Sequence, residues 1–327
     1  MVQLNRPERV VVTGAAGFIG SSVAKAFLDD GRHVLGIDNF APNYARANKE
    51  RNVERLHGDR FELAEQDLVE AEHVADLVSR FRPDVVVHLA ALGNVRASVT
   101  NPAPYLQSNV VGTGNVLDAA VAADVGHVVF ASTSSVYGQR DQVPFRETDE
   151  TDRPLAPYPA TKKAGEVLGH AYYVAHSLSF SALRFFNVYG PHGRPDMMPW
   201  ITLDALSRDV PITVFGDGSV RRDWTYIDDI VSGVVSATDR PLGYEIINLG
   251  RGEPASLNDF ISIFERIEAR EVKRLQRDMP PTEPAVTFAD ISKAMALLDY
   301  QPQVSLAEGL SRFHRWWSER DIRAMAR

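Results

Sequence analysis

Short runs of consecutive apolar residues recur along the chain and alternate with amphipathic stretches of ten or more residues. Val10-Val11-Val12 is the first such run, and a β-branched run without polar alternation predicts a buried strand. It leads through Thr13-Gly14-Ala15-Ala16-Gly17-Phe18-Ile19-Gly20 into a helical pattern that lasts to Leu28 and closes at Gly31. Val34-Leu35-Gly36-Ile37 predicts a second strand, Phe61 to Leu68 a third, and Val85 to Ala91, after the punctuating Arg82-Pro83-Asp84, a fourth. Val95-Arg96 falls in a loop, and Pro104 to Asp124 predicts a helix with the stripe Val110, Val111, Leu117 and Val121. Val128-Val129-Phe130 predicts a fifth strand, Tyr158 opens another helix, and Ser181 to Pro191 predicts a strand that runs into a loop. This alternation predicts an α/β fold built on a doubly wound parallel sheet. From His192 proline and glycine become dense and the alternation breaks. A second, smaller α/β domain is expected there, interleaved with returns to the sheet through Tyr226–Asp229 and Ile246–Gly250. Glu268 to Asp278 is charged and gives no clear element, while Asp290 to Leu298 and Leu306 to Trp317 predict C-terminal helices.

The glycine-rich turn sits between a strand and a helix inside a βαβ unit, and that context marks a phosphate cradle. Small residues let the backbone approach a pyrophosphate, which rests on the helix N-terminus. The spacing is Gly-x-x-Gly-x-x-Gly, a departure from the commoner Gly-x-Gly-x-x-Gly. Asp38 ends the second strand, where an acidic residue takes ribose hydroxyls, and its charge favours NAD over NADP. Asp67-Leu68 is either a contact to the adenine edge or, at Asp67, a helix N-cap. His88 lies within an apolar run and reads as a core histidine. Arg96 either reaches an anionic substrate or is solvated, and Asn109 is either a solvated helix residue or a contact near the active site. The expected boundaries are an NAD-binding domain of residues 1–186, rejoined by about 226–255, and a substrate domain of 187–225 with about 256–327.

The stretch from Phe130 to Glu166 carries the chemistry. A row of hydroxyls, Ser132-Thr133-Ser134-Ser135, stands where the fifth strand should end. Beyond a polar loop, Tyr158 and Lys162 stand one helical turn apart on one face. An ammonium beside a phenol favours the phenolate, which makes a base usable near neutral pH. Hydroxyls, tyrosine and lysine together form a proton-transfer device.

Composition narrows the context. The 327 residues are 44% hydrophobic and 24% charged, as in an ordinary globular protein. The net charge of −8 argues against general nucleic-acid affinity. The absence of cysteine removes thiol chemistry and fits a reducing, cytoplasmic setting. No apolar run approaches membrane-spanning length, no signal peptide is visible, and no metal is implied.

These motifs, with Arg184–Gly190 and Arg221-Arg222-Asp223-Trp224-Thr225-Tyr226-Ile227-Asp228-Asp229, resemble in order the extended short-chain dehydrogenase/reductase superfamily, and within it the nucleotide-sugar epimerases. The resemblance is strongest to the UDP-glucuronate 4-epimerases, through Phe130–Gly138, Ala160–Ala164 and Tyr189–Met197. Related dehydratases carry an Asp-Glu pair where this chain has Ser134-Ser135, and decarboxylases carry a glutamate at Ser135. The resemblance implies NAD as cofactor, held by Gly14, Gly17, Phe18, Ile19, Gly20, Asp38, Asn39, Asp67, Leu68, Leu89, Ala90, Ala91, Asn109, Ser132, Tyr158, Lys162, Phe185 and Val188. It implies Tyr158, Lys162 and Thr133 as catalytic, with a 4-keto sugar between two hydride transfers. It implies a UDP-sugar substrate held by Arg96, Thr133, Ser134, Ser135, Tyr158, Asn187, Arg194, Phe215, Arg222 and Glu283, with Arg194, Ser134 and Ser135 on the uronate carboxylate. Asn187 stands where the uronate epimerases tend to carry threonine and the neutral-sugar epimerases asparagine. Epimerases of UDP-glucose or UDP-N-acetylglucosamine are therefore the alternative; a decarboxylase and a non-catalytic NAD-binding protein are weaker ones. The family also implies a homodimer, formed through the helices after Pro104 and after Tyr158.

Overall fold

A computed structural model describes residues 6–280 and 284–325. The first half follows the predicted alternation: β1 (Arg9–Thr13), α1 (Phe18–Asp29), β2 (His33–Asp38), α2 (Arg46–Val53), β3 (Phe61–Glu65), α3 (Ala71–Phe81) and β4 (Val85–His88). Next come α4 (Val95–Thr100), α5 (Ala103–Leu106), α6 (Gly112–Ala122), β5 (His127–Thr133), α7 (Pro157–His176) and β6 (Ser179–Phe185). The remainder is β7 (Asn187–Tyr189), α8 (Met198–Arg208), β8 (Ile212–Phe215), β9 (Arg221–Arg222), β10 (Trp224–Tyr226), α9 (Ile227–Thr238) and β11 (Tyr244–Leu249). It closes with β12 (Ala255–Ser256), α10 (Leu257–Glu268), β13 (Arg274–Arg277), β14 (Val286–Thr287), α11 (Ser292–Leu298) and α12 (Leu306–Met325).

Seven strands form one parallel sheet in the order β11-β6-β5-β4-β1-β2-β3. Successive valines of β1 feed opposite cores. Val10 and Val12 join the cluster with Phe27, Val34 and Ile230, whereas Val11 joins Val74, Val86 and Leu117. A strand covered on both faces needs apolar residues at every position, which is why the run lacks alternation. The strand order reverses between β1 and β4, so the carboxyl ends of these strands diverge into a crevice. Beyond the sheet, β7 pairs with β10, β9 with β12 and β14, and β8 with β13.

Several local expectations are corrected. Val95-Arg96 is helical, because Asn94 accepts from the Ala97 N–H at 3.0 Å and caps α4. The helix expected from Pro104 is broken by a π turn at Gln107–Val111. The third strand stops at Glu65, before Asp67. Tyr226 ends β10 and Ile227 begins α9, so that return is a helix against the sheet, whereas Tyr244–Leu249 is the seventh strand. The charged stretch after Glu268 contains β13. Among the described residues no helix is long and apolar enough to cross a membrane.

Candidate active site

Gly14 turns the chain at the switch point with φ +72°, and a Cβ there would lie 2.8 Å from the Ala90 N. Only glycine combines this backbone with that approach. The crevice it opens is lined by Gly14, Gly17, Phe18, Ile19, Gly20, Asp38, Asn39, Asp67, Leu68, Leu89, Ala90 and Ala91. The buried Asp38 carboxylate accepts from the Ala16 N–H at 3.0 Å and the Phe40 N–H at 2.8 Å, which locks the turn to the end of β2. Asn39 donates to Asp67 at 2.8 Å, and Asp67 accepts from the Val69 N–H at 3.0 Å. The N-cap position of α3 belongs to Glu70, so Asp67 closes a turn and caps no helix. Two further residues line this end and were not singled out. Lys49, buried, donates to the Ala41 carbonyl at 2.8 Å and lies over Tyr44, whose phenol burial pushes up to about 12. Helix α2 is mostly polar and has no apolar stripe, so nothing in its pattern marks Lys49 as turned inward.

The hydroxyl row and the Tyr158 helix meet in an adjoining cavity of about 410 Å³, lined also by Phe185, Asn187, Val188 and Arg194. Helix α7 lies hard against the sheet, for a Cβ at Gly165 would stand 2.4 Å from the Phe130 ring. The Tyr158 N–H donates to Ser98 Oγ at 3.1 Å, and the Thr133 side chain lies close enough to its phenol to favour the ionised form. Burial raises the proton affinity of that phenol; Thr133 and the Arg194 charge act against it, and Tyr105 adds to it. Arg194 thus joins Lys162 among the cations around the phenol, a role that helix spacing alone did not reveal. Lys162 Nζ lies 4.0 Å from the centre of the Phe130 ring, enclosed and without a hydrogen-bond partner, and burial lowers its affinity for a proton to a pKa of about 7.

Three other residues act through their neighbours. Ser132 Oγ donates at 2.7 Å to Glu166, which Arg184 holds by two bonds of 2.8 Å. Asn109, wholly buried rather than solvated, accepts from the Leu92 N–H at 2.9 Å and donates to the Leu92 carbonyl at 3.1 Å, so it fixes the loop after β4. His88 bridges Thr13 at 2.7 Å and Thr113 at 2.9 Å, and burial lowers its pKa to about 3, so it is a neutral core residue.

Arg96, Asn187, Phe215 and Arg222 line a third cavity beside the second. The Arg96 guanidinium stacks 4.4 Å from the Phe215 ring centre. Arg222 donates to the Arg221 carbonyl at 3.0 Å. Its neighbour Asp223 is buried and accepts the backbone N–H groups of Arg251, Gly252 and Ala289, which pins this segment. Ser134 and Ser135 begin a single 3₁₀ turn, and the Ser135 N–H donates to Thr133 Oγ1 at 3.2 Å. Glu283 lies outside the described residues.

An adenine dinucleotide fits this arrangement. The glycine cradle has no room for a Cβ, an acidic residue ends β2, and Lys162, which lines the cavity, keeps an enclosed Nζ without a hydrogen-bond partner.

Residues 10–250 match the NAD-dependent epimerase/dehydratase family. The chain belongs to that family. Its relatives include the UDP-glucuronate 4-epimerase of Thermodesulfobacterium geofontis, 41% identical over 311 residues that span 94% of this chain and 96% of the relative. The UDP-glucuronic acid 4-epimerase of Bacillus cereus, solved in complex with UDP-glucuronic acid and NAD, superposes with a TM-score of 0.90 at 38% identity, over 95% of this chain and 99% of that one. The UDP-glucose 4-epimerase of Thermotoga maritima, solved with UDP-glucose, superposes at 0.88 with 28% identity, over 95% and 99% of the two chains. Family membership accounts for the doubly wound sheet and for the dinucleotide crevice at its switch point. It leaves the sugar to be argued from the second and third cavities.

Proposed function

We propose that this protein is an NAD-dependent 4-epimerase that interconverts UDP-glucuronate and UDP-galacturonate through a 4-keto sugar. The observation that carries the reading is one cavity in which Thr133 and Tyr158 face Arg194, with serines at 134 and 135. Tyr158 Oη takes the proton of the sugar 4-hydroxyl, relayed through Thr133 Oγ1, and returns it when the ketone is reduced. Arg194 favours the phenolate and offers donors to a carboxylate, while the two serine hydroxyls complete its binding. When bound, NAD supplies the hydride acceptor, adds positive charge beside the phenol, and is regenerated within the cycle. Residues 134 and 135 bring no acid, so elimination and decarboxylation lack a participant. A carboxylate held charged and hydrogen-bonded also resists loss of carbon dioxide.

Asn187, Arg96, Phe215 and Arg222 hold the UDP end, with Glu283 on the ribose. On this reading residues 1–186 and about 226–255 serve the cofactor, and 187–225 with about 256–327 the substrate. A homodimer is built through α7 and its neighbours, where Leu106, Val111, Val167 and Val174 are exposed (52%, 43%, 57% and 68%). The cysteine-free chain suits the cytoplasm.

Incubation of the purified protein with UDP-glucuronate and no added NAD, followed by chromatography, tests the reading. The expected product is UDP-galacturonate. UDP-xylose, or no change, overturns it. Asn187 favours a second reading, a 4-epimerase of UDP-glucose or UDP-N-acetylglucosamine, and faster turnover of either would establish that one.

A further inference from the structure

Arg194 is held from one side. Its Nε donates to Asp196 Oδ1 at 3.0 Å, and Asp196 Oδ2 accepts from Asn94 Nδ2 at 3.3 Å. Neither Nη nitrogen has a protein acceptor among the described residues. Nη1 passes close to Gly93, where a Cβ would stand 3.2 Å away. The guanidinium lies near enough to both Tyr44 and Tyr158 to favour their ionised forms, so it sits between the dinucleotide crevice and the sugar cavity. Asn94 is itself fixed. Its side chain caps α4, and its carbonyl accepts from the Tyr105 hydroxyl at 2.8 Å. The same short helix supplies the Ser98 Oγ that receives the Tyr158 N–H.

An arginine fork gives a bidentate bond to a carboxylate only when its plane is set, because the five donors are rigidly arranged. A carboxylate on Nε leaves the two Nη donors as the free edge. We propose that Asp196 and Asn94 are positioning residues that aim the Nη edge of Arg194 into the sugar cavity, and that this bracket sets the preference for an anionic over a neutral sugar. The proposal rests on the uronate reading above and deepens it. It assigns Asp196, itself a carboxylate in the sugar cavity, an orienting role and not that of a competitor for Arg194.

The test is steady-state kinetics of Asp196→Ala, Asp196→Asn and Asn94→Ala with UDP-glucuronate and with UDP-glucose, each variant checked for an unchanged Tm. Asp196→Ala should raise KM for UDP-glucuronate about tenfold, the scale of one charge-assisted contact. It should leave kcat/KM for UDP-glucose within about twofold. Asp196→Asn keeps a neutral acceptor for Nε and should recover part of the loss, and Asn94→Ala should lie between Asp196→Asn and the parent. A lower KM for UDP-glucuronate in Asp196→Ala makes Asp196 a competitor and overturns the proposal. Equal losses on both sugars assign a merely structural role and also overturn it. Unchanged kinetics in a parent that turns over UDP-glucuronate overturns this proposal alone, whereas a parent inert toward UDP-glucuronate overturns the uronate reading with it.

Discussion

The Lys162 ammonium lies 4.0 Å from the centre of the Phe130 ring and meets no hydrogen-bond acceptor, although it is enclosed by the α7–sheet interface. Its pKa in the fold is about 7, because burial disfavours the charge and only Glu166 acts the other way. In the unfolded chain a lysine titrates near 10.4. Between these values the unfolded state binds a proton that the folded state does not, so stability rises with pH across that window. Each pH unit contributes at most about 1.4 kcal/mol. Lys162→Met should remove this slope and raise the Tm of cofactor-free protein at pH 7, while abolishing turnover. Melting curves from pH 7 to 9 on both proteins measure it, and parallel curves would refute the assignment.

Tyr158→Phe keeps the ring and removes the hydroxyl that meets Thr133. Loss of an acid–base group of this kind costs about 10²–10⁴-fold in turnover. NAD retention, read from absorbance of the purified protein, should not change. Residual activity within about tenfold of the parent would remove Tyr158 from the chemistry.

Arg194 favours the Tyr158 phenolate, so its removal raises the pKa of the phenol. In Arg194→Ala the acidic limb of the pH–rate profile should therefore move to higher pH for every sugar. Affinity should fall for UDP-glucuronate alone. A profile that does not move, or an equal loss of affinity for UDP-glucose, contradicts the placement.

Glu166 and Arg184 form an ion pair with side chains 0% and 1% exposed. Removing one partner strands a buried charge, at a cost of about 3–5 kcal/mol. Glu166→Gln should show that loss in urea denaturation, whereas Glu166→Gln with Arg184→Met should recover most of it. If the double variant is as unstable as the single, the pair is more than a mutually neutralising brace.

Val167 and Val174 stand seven residues apart on α7 and are both exposed. Substituting both with glutamate should convert a dimer to a monomer in light scattering, with the secondary structure intact. A parent that is already monomeric at micromolar concentration refutes the interface.

The frame of the fold is written in local pattern along the chain. Apolar runs such as Val10–Val12 must be covered on both faces, and the helices between them must supply the cover, so the parallel sheet follows from local pattern. The glycine turn was legible for the same local reason, since strand, turn and helix are contiguous in the chain. Tyr158 and Lys162 were legible because a helix fixes the spacing of residues one turn apart.

Which groups act on one another depends on long-range packing. Arg194 comes from the segment after β7 and Tyr158 from α7, and their proximity is a long-range contact that no spacing encodes. The same holds for Asp67 held by Asn39, for Lys49 turned inward from a polar helix, and for the Asn109 clamp on Leu92. Lys162 shows the limit most plainly. Its spacing from Tyr158 was fixed by the helix, but the direction of its ammonium was fixed by the packing of Phe130 beneath α7.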